Sequence, residues 1–308
     1  MSSIDERIKQ AIPAEFHMIS GSADSQTSAD VQNTGKFQLP DPASRAGGAC
    51  TSALLQVWYR DGHATGEKTW VQCLREMRSN LLQMGFDQVP QLTSSRMIDV
   101  NKIMHIVPPG STGRRRAVLI GINYVGQQGQ LSGCHNDVNN IKKYLIAAQG
   151  FKESEMLILM DDGRHHAPTR KNIEDAFRRI TEYSNAGDVV FVHYSGHGGR
   201  VRDTSGDEED GYDETLIPVD FRSAGQIVDD NILDMLVKPM RAGVTVTVLM
   251  DCCHSGTVLD LPYRFSADDS QMRLDQGMNM DNFLGKLDPG SVALCACLGF
   301  MMMNMLDF

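Results

Sequence analysis

A histidine and a pair of cysteines, each closing an apolar run, are the residues of this chain best placed to do chemistry. Val189-Val190-Phe191-Val192-His193-Tyr194 leads into Ser195-Gly196-His197-Gly198-Gly199, and Val244-Thr245-Val246-Thr247-Val248-Leu249-Met250 leads into Asp251-Cys252-Cys253-His254-Ser255-Gly256. Runs rich in β-branched residues that stop abruptly at small ones read as buried parallel strands. A free thiol is mostly protonated at neutral pH, so a cysteine nucleophile needs an imidazole to take its proton and return it to the leaving group. The pairing points to acyl transfer, most simply peptide-bond hydrolysis. His197 is the expected base, and the open glycine backbone around it leaves the N–H of Gly198, or of Cys253 itself, to stabilise an oxyanion. His193 belongs to the strand and is expected to point the other way, because side chains alternate along a strand. Cys252 and Cys253 cannot both face His197 from an extended backbone, and Cys253 is taken as the nucleophile.

The flanking sequence supplies the elements that must hold these groups. Strands are expected at residues 117–122, 156–160, 189–194 and 244–250, alternating with helices at 137–148, 169–183 and near 231–237. That alternation is the pattern of a doubly wound α/β sheet with helices on both faces, whose reactive groups sit at the carboxyl ends of the strands. Upstream come a short strand at 16–20, a polar stretch with glycine and proline to residue 48, and helices at 51–60 and 69–84. Trp70, Leu74, Met77, Leu81 and Met84 fall at four- and three-residue steps and mark a core-facing stripe. Residues 91–95 and an extended stretch at 100–107 follow. The organisation expected is residues 1–108, a short Pro/Gly linker at 109–113, a region at 114–268 carrying the reactive residues and an extension at 269–308. The first and third of these are expected to form one compact domain.

At 308 residues the chain can bury a proper core, and its formal net charge of −10 counts against nucleic acid as a partner and in favour of a cationic one. The seven cysteines show no CxxC spacing, so neither a disulfide framework nor a zinc site is indicated, and a reducing, cytoplasmic compartment is expected. Charged residues at 5–9 rule out a signal-peptide reading of the first residues, and the methionine-rich run at 291–306 is shorter than a membrane span. No membrane partner is expected, and a monomer is. The acidic run at 203–214 has Glu208 where a calcium-binding EF-hand loop needs glycine, and is expected to be a solvated loop. Arg114-Arg115-Arg116 would suit a protease that cuts after basic residues, yet it leads straight into a strand; a single-chain enzyme active without processing is the preferred expectation.

These motifs resemble those of the metacaspases, caspase-like cysteine peptidases found outside animals. Ser195-Gly196-His197-Gly198 resembles the family's catalytic histidine motif, and Asp251-Cys252-Cys253-His254-Ser255-Gly256 its Asp-x-Cys-His-Ser-Gly motif, which assigns Cys253. Residues 20–30 look like the small-subunit signature, with Ser22 where the family commonly has cysteine. Small-subunit region first and catalytic region second is the arrangement of type III metacaspases. The resemblance implies a caspase-hemoglobinase α/β fold, with a mostly parallel central sheet flanked by helices on both faces. It also implies cleavage after arginine or lysine in a pocket lined by Cys134, Asp137, Ser195 and Asp251, two of whose carboxylates would accept a guanidinium and reject an anion. Asp137 also suits the start of a helix, where its charge complements the dipole. Finally, it implies calcium held by Asp213, Asp229, Asp230 and Asp260, since converging carboxylates repel without a cation. The alternatives are a calcium-independent arginine peptidase of the same fold and a catalytically weak scaffold protein.

Overall fold

The structure, a computed structural model, describes residues 3–21, 30–31, 47–60, 63–83, 85–202, 212–252, 258–274 and 285. Cys253, Ser22, Met84, the loop at 203–211 and the methionine-rich tail lie outside the described residues.

The first region contributes α1 (Ser3–Ala11), β1 (Glu15–Ser20), the short pair β2 (Asp30–Val31) and β3 (Gly47–Gly48), α2 (Ala49–Trp58), the short pair β4 (Tyr59–Arg60) and β5 (His63–Ala64), α3 (Trp70–Gln83) and β6 (Gln91–Ser94). The second contributes β7 (Arg115–Gly121), α4 (Cys134–Gln149), β8 (Met156–Met160), α5 (Arg170–Tyr183), β9 (Val189–Ser195), β10 (Gly198–Arg202), β11 (Tyr212–Leu216), α6 (Phe221–Ala224), β12 (Ile227–Val228), α7 (Asp229–Ile232), β13 (Thr245–Asp251), β14 (Tyr263–Ser266) and β15 (Arg273–Leu274). Eight of these strands form one sheet in the order β15-β14-β6-β1-β13-β9-β7-β8. The block from β1 to β8 is parallel throughout, whereas β6, β14 and β15 run antiparallel to their neighbours at the other edge. This is the caspase-like α/β architecture, its sheet built jointly by the two regions.

Crossover geometry explains the layers. The step from β7 through α4 to β8 moves toward the sheet edge, and the step from β8 through α5 to β9 moves back across β7. Right-handed crossovers therefore put α4 and α5 on opposite faces. Every residue of β9 is buried, as is β13 after its first residue, the pattern of strands covered on both sides.

The helices start where their caps dictate. The Thr69 hydroxyl accepts the Gln72 N–H at 3.2 Å while the Gln72 side chain accepts the Thr69 N–H at 2.9 Å, a reciprocal capping box. Thr169 accepts the Asn172 N–H at 3.2 Å and opens α5 in the same way. On α3 the expected stripe of Trp70, Leu74, Met77 and Leu81 is buried.

Several boundaries differ from expectation. The helix expected at 51–60 spans Ala49–Trp58, and Tyr59–Arg60 pairs as a strand instead. α4 begins at Cys134, three residues earlier than the periodicity indicates, with Gly133 at its N-cap. The helix near 231 starts at Asp229 and passes into a π-helical turn over Leu233–Val237. The stretch at 100–107 is mostly turns and irregular chain, held to α3's entry by a bridge between Thr69 and Ile103 and by backbone bonds such as that from the Val71 N–H to the Val100 carbonyl at 3.0 Å. Arg115 and Arg116 are not loose linker: the Arg115 guanidinium donates to the Gln149 carbonyl at 2.6 Å, and Arg116 pairs with Asp188 at 2.6 Å. Among the described residues no helix is long and apolar enough to cross a membrane.

Candidate active site

The carboxyl ends of β7, β9 and β13 lie side by side, with Ser195 in register with Gly121 on one side and Asp251 on the other. The chain therefore leaves the sheet toward His197 and toward the Cys252–Cys253 pair from neighbouring strands, at the edge where such sheets open a crevice. Cys252 is buried in the core. His193 is fully buried, its Nε2 3.2 Å from the Thr51 hydroxyl, so it serves packing on the opposite side from His197.

His197 sits half-buried with its Nε2 2.6 Å from the Gly129 carbonyl and its ring 4.7 Å from the ring of Tyr124. A carbonyl acceptor at Nε2 fixes the tautomer, leaving Nδ1 as the nitrogen without a proton when the ring is neutral. The next residue, Gly198, opens β10 opposite Leu216. Because the Ile217 N–H donates to the His197 carbonyl at 3.3 Å, the alternation of an antiparallel ladder makes 198 and 216 the pair that exchanges no hydrogen bonds. The Gly198 N–H thus points out of the ladder.

The four residues expected to line a pocket also gather here. Asp137, in the first turn of α4, accepts the Ser195 hydroxyl at 2.6 Å, and Cys134 starts the same helix with its N–H on the Asn123 side chain at 3.0 Å. Asp251 accepts the Thr51 N–H at 2.8 Å. Gly48, just before α2, donates its N–H to both oxygens of Asp137 at 2.9 Å. Both carboxylates are buried, and both face the positive end of the α2 dipole. A Cβ on Gly48 would collide with the Asp251 carboxylate and lie 2.9 Å from Asp137 Oδ2, so only glycine lets the two acids share this space.

A second acidic group forms on the small sheet of β10, β11 and β12. Asp213, Asp229 and Asp230 place one carboxylate oxygen each within 4.8 Å of one another. Asp229 is buried and accepts the N–H groups of Glu214 and Asp230, each at 2.7 Å. Burial, followed by the charges of Asp260, Asp213 and Glu214, drives the Asp229 carboxyl well above the ordinary carboxylate range. Asp260, fully buried with a left-handed backbone (φ 47°), acts on Asp229 through its charge but is not one of the three residues whose oxygens converge within 4.8 Å. Oxygen-only donors at this density suit a hard divalent cation such as calcium.

Residues 115–262 match the family model described as metacaspase, peptidase C14 domain, and residues 2–101 match the caspase domain. Over 288 residues the chain is 53% identical to Metacaspase III c of Phaeodactylum tricornutum, covering 92% of this chain and 85% of that protein. The chain belongs to the metacaspases. It is 51% identical over 157 residues to Metacaspase-1A of Neurospora crassa and 46% over 199 residues to Metacaspase-1B of Aspergillus fumigatus. These alignments cover 35% and 48% of the fungal proteins, so the chain spans less than half of those relatives. As a metacaspase, the protein is a caspase-like cysteine endopeptidase.

Three contributors to this metacaspase site escaped the sequence reading. Gly129 and Tyr124 lie in a loop after β7 where nothing in the residue types marks them, and a tyrosine with φ 52° is not legible from sequence. Gly48 sits in a glycine-rich stretch that read as connection. Gly-Gly immediately before an apolar helix was the available signal, since a helix entry without a side chain permits close approach.

Proposed function

We propose that the protein is a calcium-dependent endopeptidase that cleaves peptide bonds after arginine or lysine. The observation that carries this reading is the convergence of Asp137 and Asp251, buried together beside Ser195 at the ends of the strands that lead to His197 and Cys253. A substrate guanidinium or ammonium entering there meets two carboxylates in a partly desolvated space, which an aspartate side chain would find repulsive. Cys134 and Ser195 complete the wall.

His197 takes the proton from the Cys253 thiol, and the thiolate attacks the carbonyl carbon of the basic residue. The N–H of Gly198 receives the developing oxyanion. Collapse breaks the C–N bond, and His197 delivers its proton to the departing amine. Water, activated by the same imidazole, then hydrolyses the thioester and restores the thiol. Asp213, Asp229, Asp230 and Asp260 would hold calcium, which supplies the positive charge that lets the four carboxylates stay ionised together.

Fluorogenic peptides ending in Arg, Lys or Asp, assayed with calcium and with a chelator, test the reading. Turnover of the Arg and Lys substrates with calcium alone, and none for Cys253→Ala, is the expected result. Full activity in chelator removes the metal from the reading. Activity in Cys253→Ala that disappears in Cys252→Ala reassigns the nucleophile.

A further inference from the structure

Residues 197 and 217 continue the β10–β11 ladder by one rung, but the rung is not an ordinary one. The His197 N–H donates not to a carbonyl but to the hydroxyl oxygen of Tyr124 at 2.9 Å, and that hydroxyl donates onward to the Ile217 carbonyl at 2.7 Å. On the return path the Ile217 N–H reaches the Tyr194 hydroxyl at 3.2 Å, which donates to the His197 carbonyl at 2.8 Å. Each hydroxyl has one proton to give and lone pairs to accept with, so the four bonds close into a ring without conflict. The Tyr124 hydroxyl replaces one direct bond of the rung, and the Tyr194 hydroxyl braces the other, beside the direct bond from the Ile217 N–H to the His197 carbonyl at 3.3 Å; both belong to buried tyrosines.

The surroundings are built around this insertion. The Tyr124 ring lies 4.7 Å from the imidazole it serves. Its backbone takes a left-handed conformation, φ 52°, that a bulky residue adopts only under constraint. Asp161 supplies the constraint: its carboxylate accepts the N–H of Asn123 at 2.8 Å and of Val125 at 3.0 Å, the amides on either side of Tyr124. His135 Nε2 braces Asp161 at 2.6 Å. Gly196 completes the set, since a Cβ there would lie 2.9 Å from the Tyr194 hydroxyl and 3.2 Å from that of Tyr124.

We propose that Tyr124 and Tyr194 are positioning residues for the reaction, their hydroxyls clamping the backbone of His197 on both sides so that its imidazole is held against the Gly129 carbonyl and toward the nucleophile. The inference rests on His197 being the base. Both tyrosines are too deeply buried to ionise, burial raising their hydroxyls above the ordinary phenol range, so both keep the proton the ring of bonds requires.

The test compares Tyr124→Phe, Tyr194→Phe and Gly196→Ala with the parent enzyme and with His197→Ala, using an Arg peptide at saturating calcium. Tyr124→Phe keeps the ring and loses the hydroxyl; Gly196→Ala keeps both hydroxyls and pushes them aside. Each is expected to lower kcat by about 10- to 100-fold with KM within about twofold, the signature of a displaced base rather than a damaged pocket. The pH profile of Cys253 alkylation by iodoacetamide should move in the same variants, because a misplaced imidazole no longer assists the thiol. A folded Tyr124→Phe with kcat within about twofold of the parent, or a change in KM alone, overturns the proposal. Should Tyr124→Phe fail to fold, Tyr194→Phe and Gly196→Ala are judged by the same numbers. Turnover surviving in His197→Ala would instead refute the base assignment, a separate failure.

Discussion

The protein carries two buried acidic groups, and they are treated in opposite ways. Asp137 and Asp251 are each met by backbone N–H groups of a distant segment: Gly48 donates to Asp137, Thr51 to Asp251, and Ser195 adds its hydroxyl. In the cluster of Asp213, Asp229 and Asp230 the amides of Glu214 and Asp230 both donate to Asp229, whose carboxyl is driven upward by burial and by its acidic neighbours. One pair is stabilised by the fold itself, with a helix dipole behind it. The other group gathers carboxylates that repel one another, and on the proposed reading a cation would join them. On the proposed reading, specificity would be part of the folded structure, whereas the acidic cluster would respond to its surroundings.

The contrast can be broken first at the pocket. Asp251→Ala removes a charge that would face the substrate's basic group and uncaps Thr51. Loss of a buried partner of this kind costs about 2–5 kcal/mol, so kcat/KM on an Arg peptide should fall roughly 30- to 5,000-fold, while calcium binding measured by calorimetry is retained. A loss of calcium binding in that variant would mean the two groups are not separate. At the cluster, calcium at about 100 times its Kd should stabilise the parent by about 2.7 kcal/mol, seen as a rise in melting temperature. Asp229→Asn should lose most of that rise, because the amide cannot supply the ionised carboxylate that the cation would stabilise. Equal calcium stabilisation in both proteins would remove Asp229 from the site.

A smaller effect tests how deeply the pocket side is tied into the core. Thr51 links Asp251 to His193, and burial pushes the His193 imidazole down to about 3. A group whose folded pKa lies below its unfolded value of 6.5 stays neutral in the native state while the unfolded chain takes up a proton. Stability is therefore lost as pH falls from 6.5 toward 3, by about 1.4 kcal/mol per unit for that one proton. His193→Gln should flatten the slope in urea melts recorded across that range. The smallest effect lies outside both regions: Thr69→Ala breaks the capping box of α3 and should cost about 1 kcal/mol in the same melts, with kcat and KM unchanged.

Much of the catalytic half was legible because its physics is repetitive. Strands buried on both faces announce themselves as β-branched runs, and β9 and β13 end close to where Ser195 and Asp251 begin the reactive motifs. The antiparallel edge was not legible, because β14 and β15 are short and mix arginine with aromatic or aliphatic residues. The small sheet was hidden for a different reason. Four of the five residues of β10 are glycine or arginine, and it follows a motif that reads as a turn, while β12 is two residues long. Site residues that act through side chains of distinctive chemistry could be singled out, while Gly48, Tyr124 and Gly129 act through space, backbone conformation and a carbonyl. Of these only Gly48 leaves a mark on residue type, as part of Gly47-Gly48 ahead of an apolar helix.

The position of β1 carries a consequence for how the protein comes into being. Glu15–Ser20 pairs in parallel with Thr245–Asp251 and lies inside the sheet, between β13 and β6. A ribosome adding about 5–20 residues per second needs on the order of tens of seconds between making one partner and the other. Throughout that interval the apolar β1 has no partner on its β13 side, and contacts of such long sequence separation form slowly. The segment that supplies Asp251 and Cys252 also locks β1 into the sheet. The nascent chain can fold its protease centre only after nearly all of it has been made, so newly synthesised protein should depend on chaperones before it has any capacity to cut.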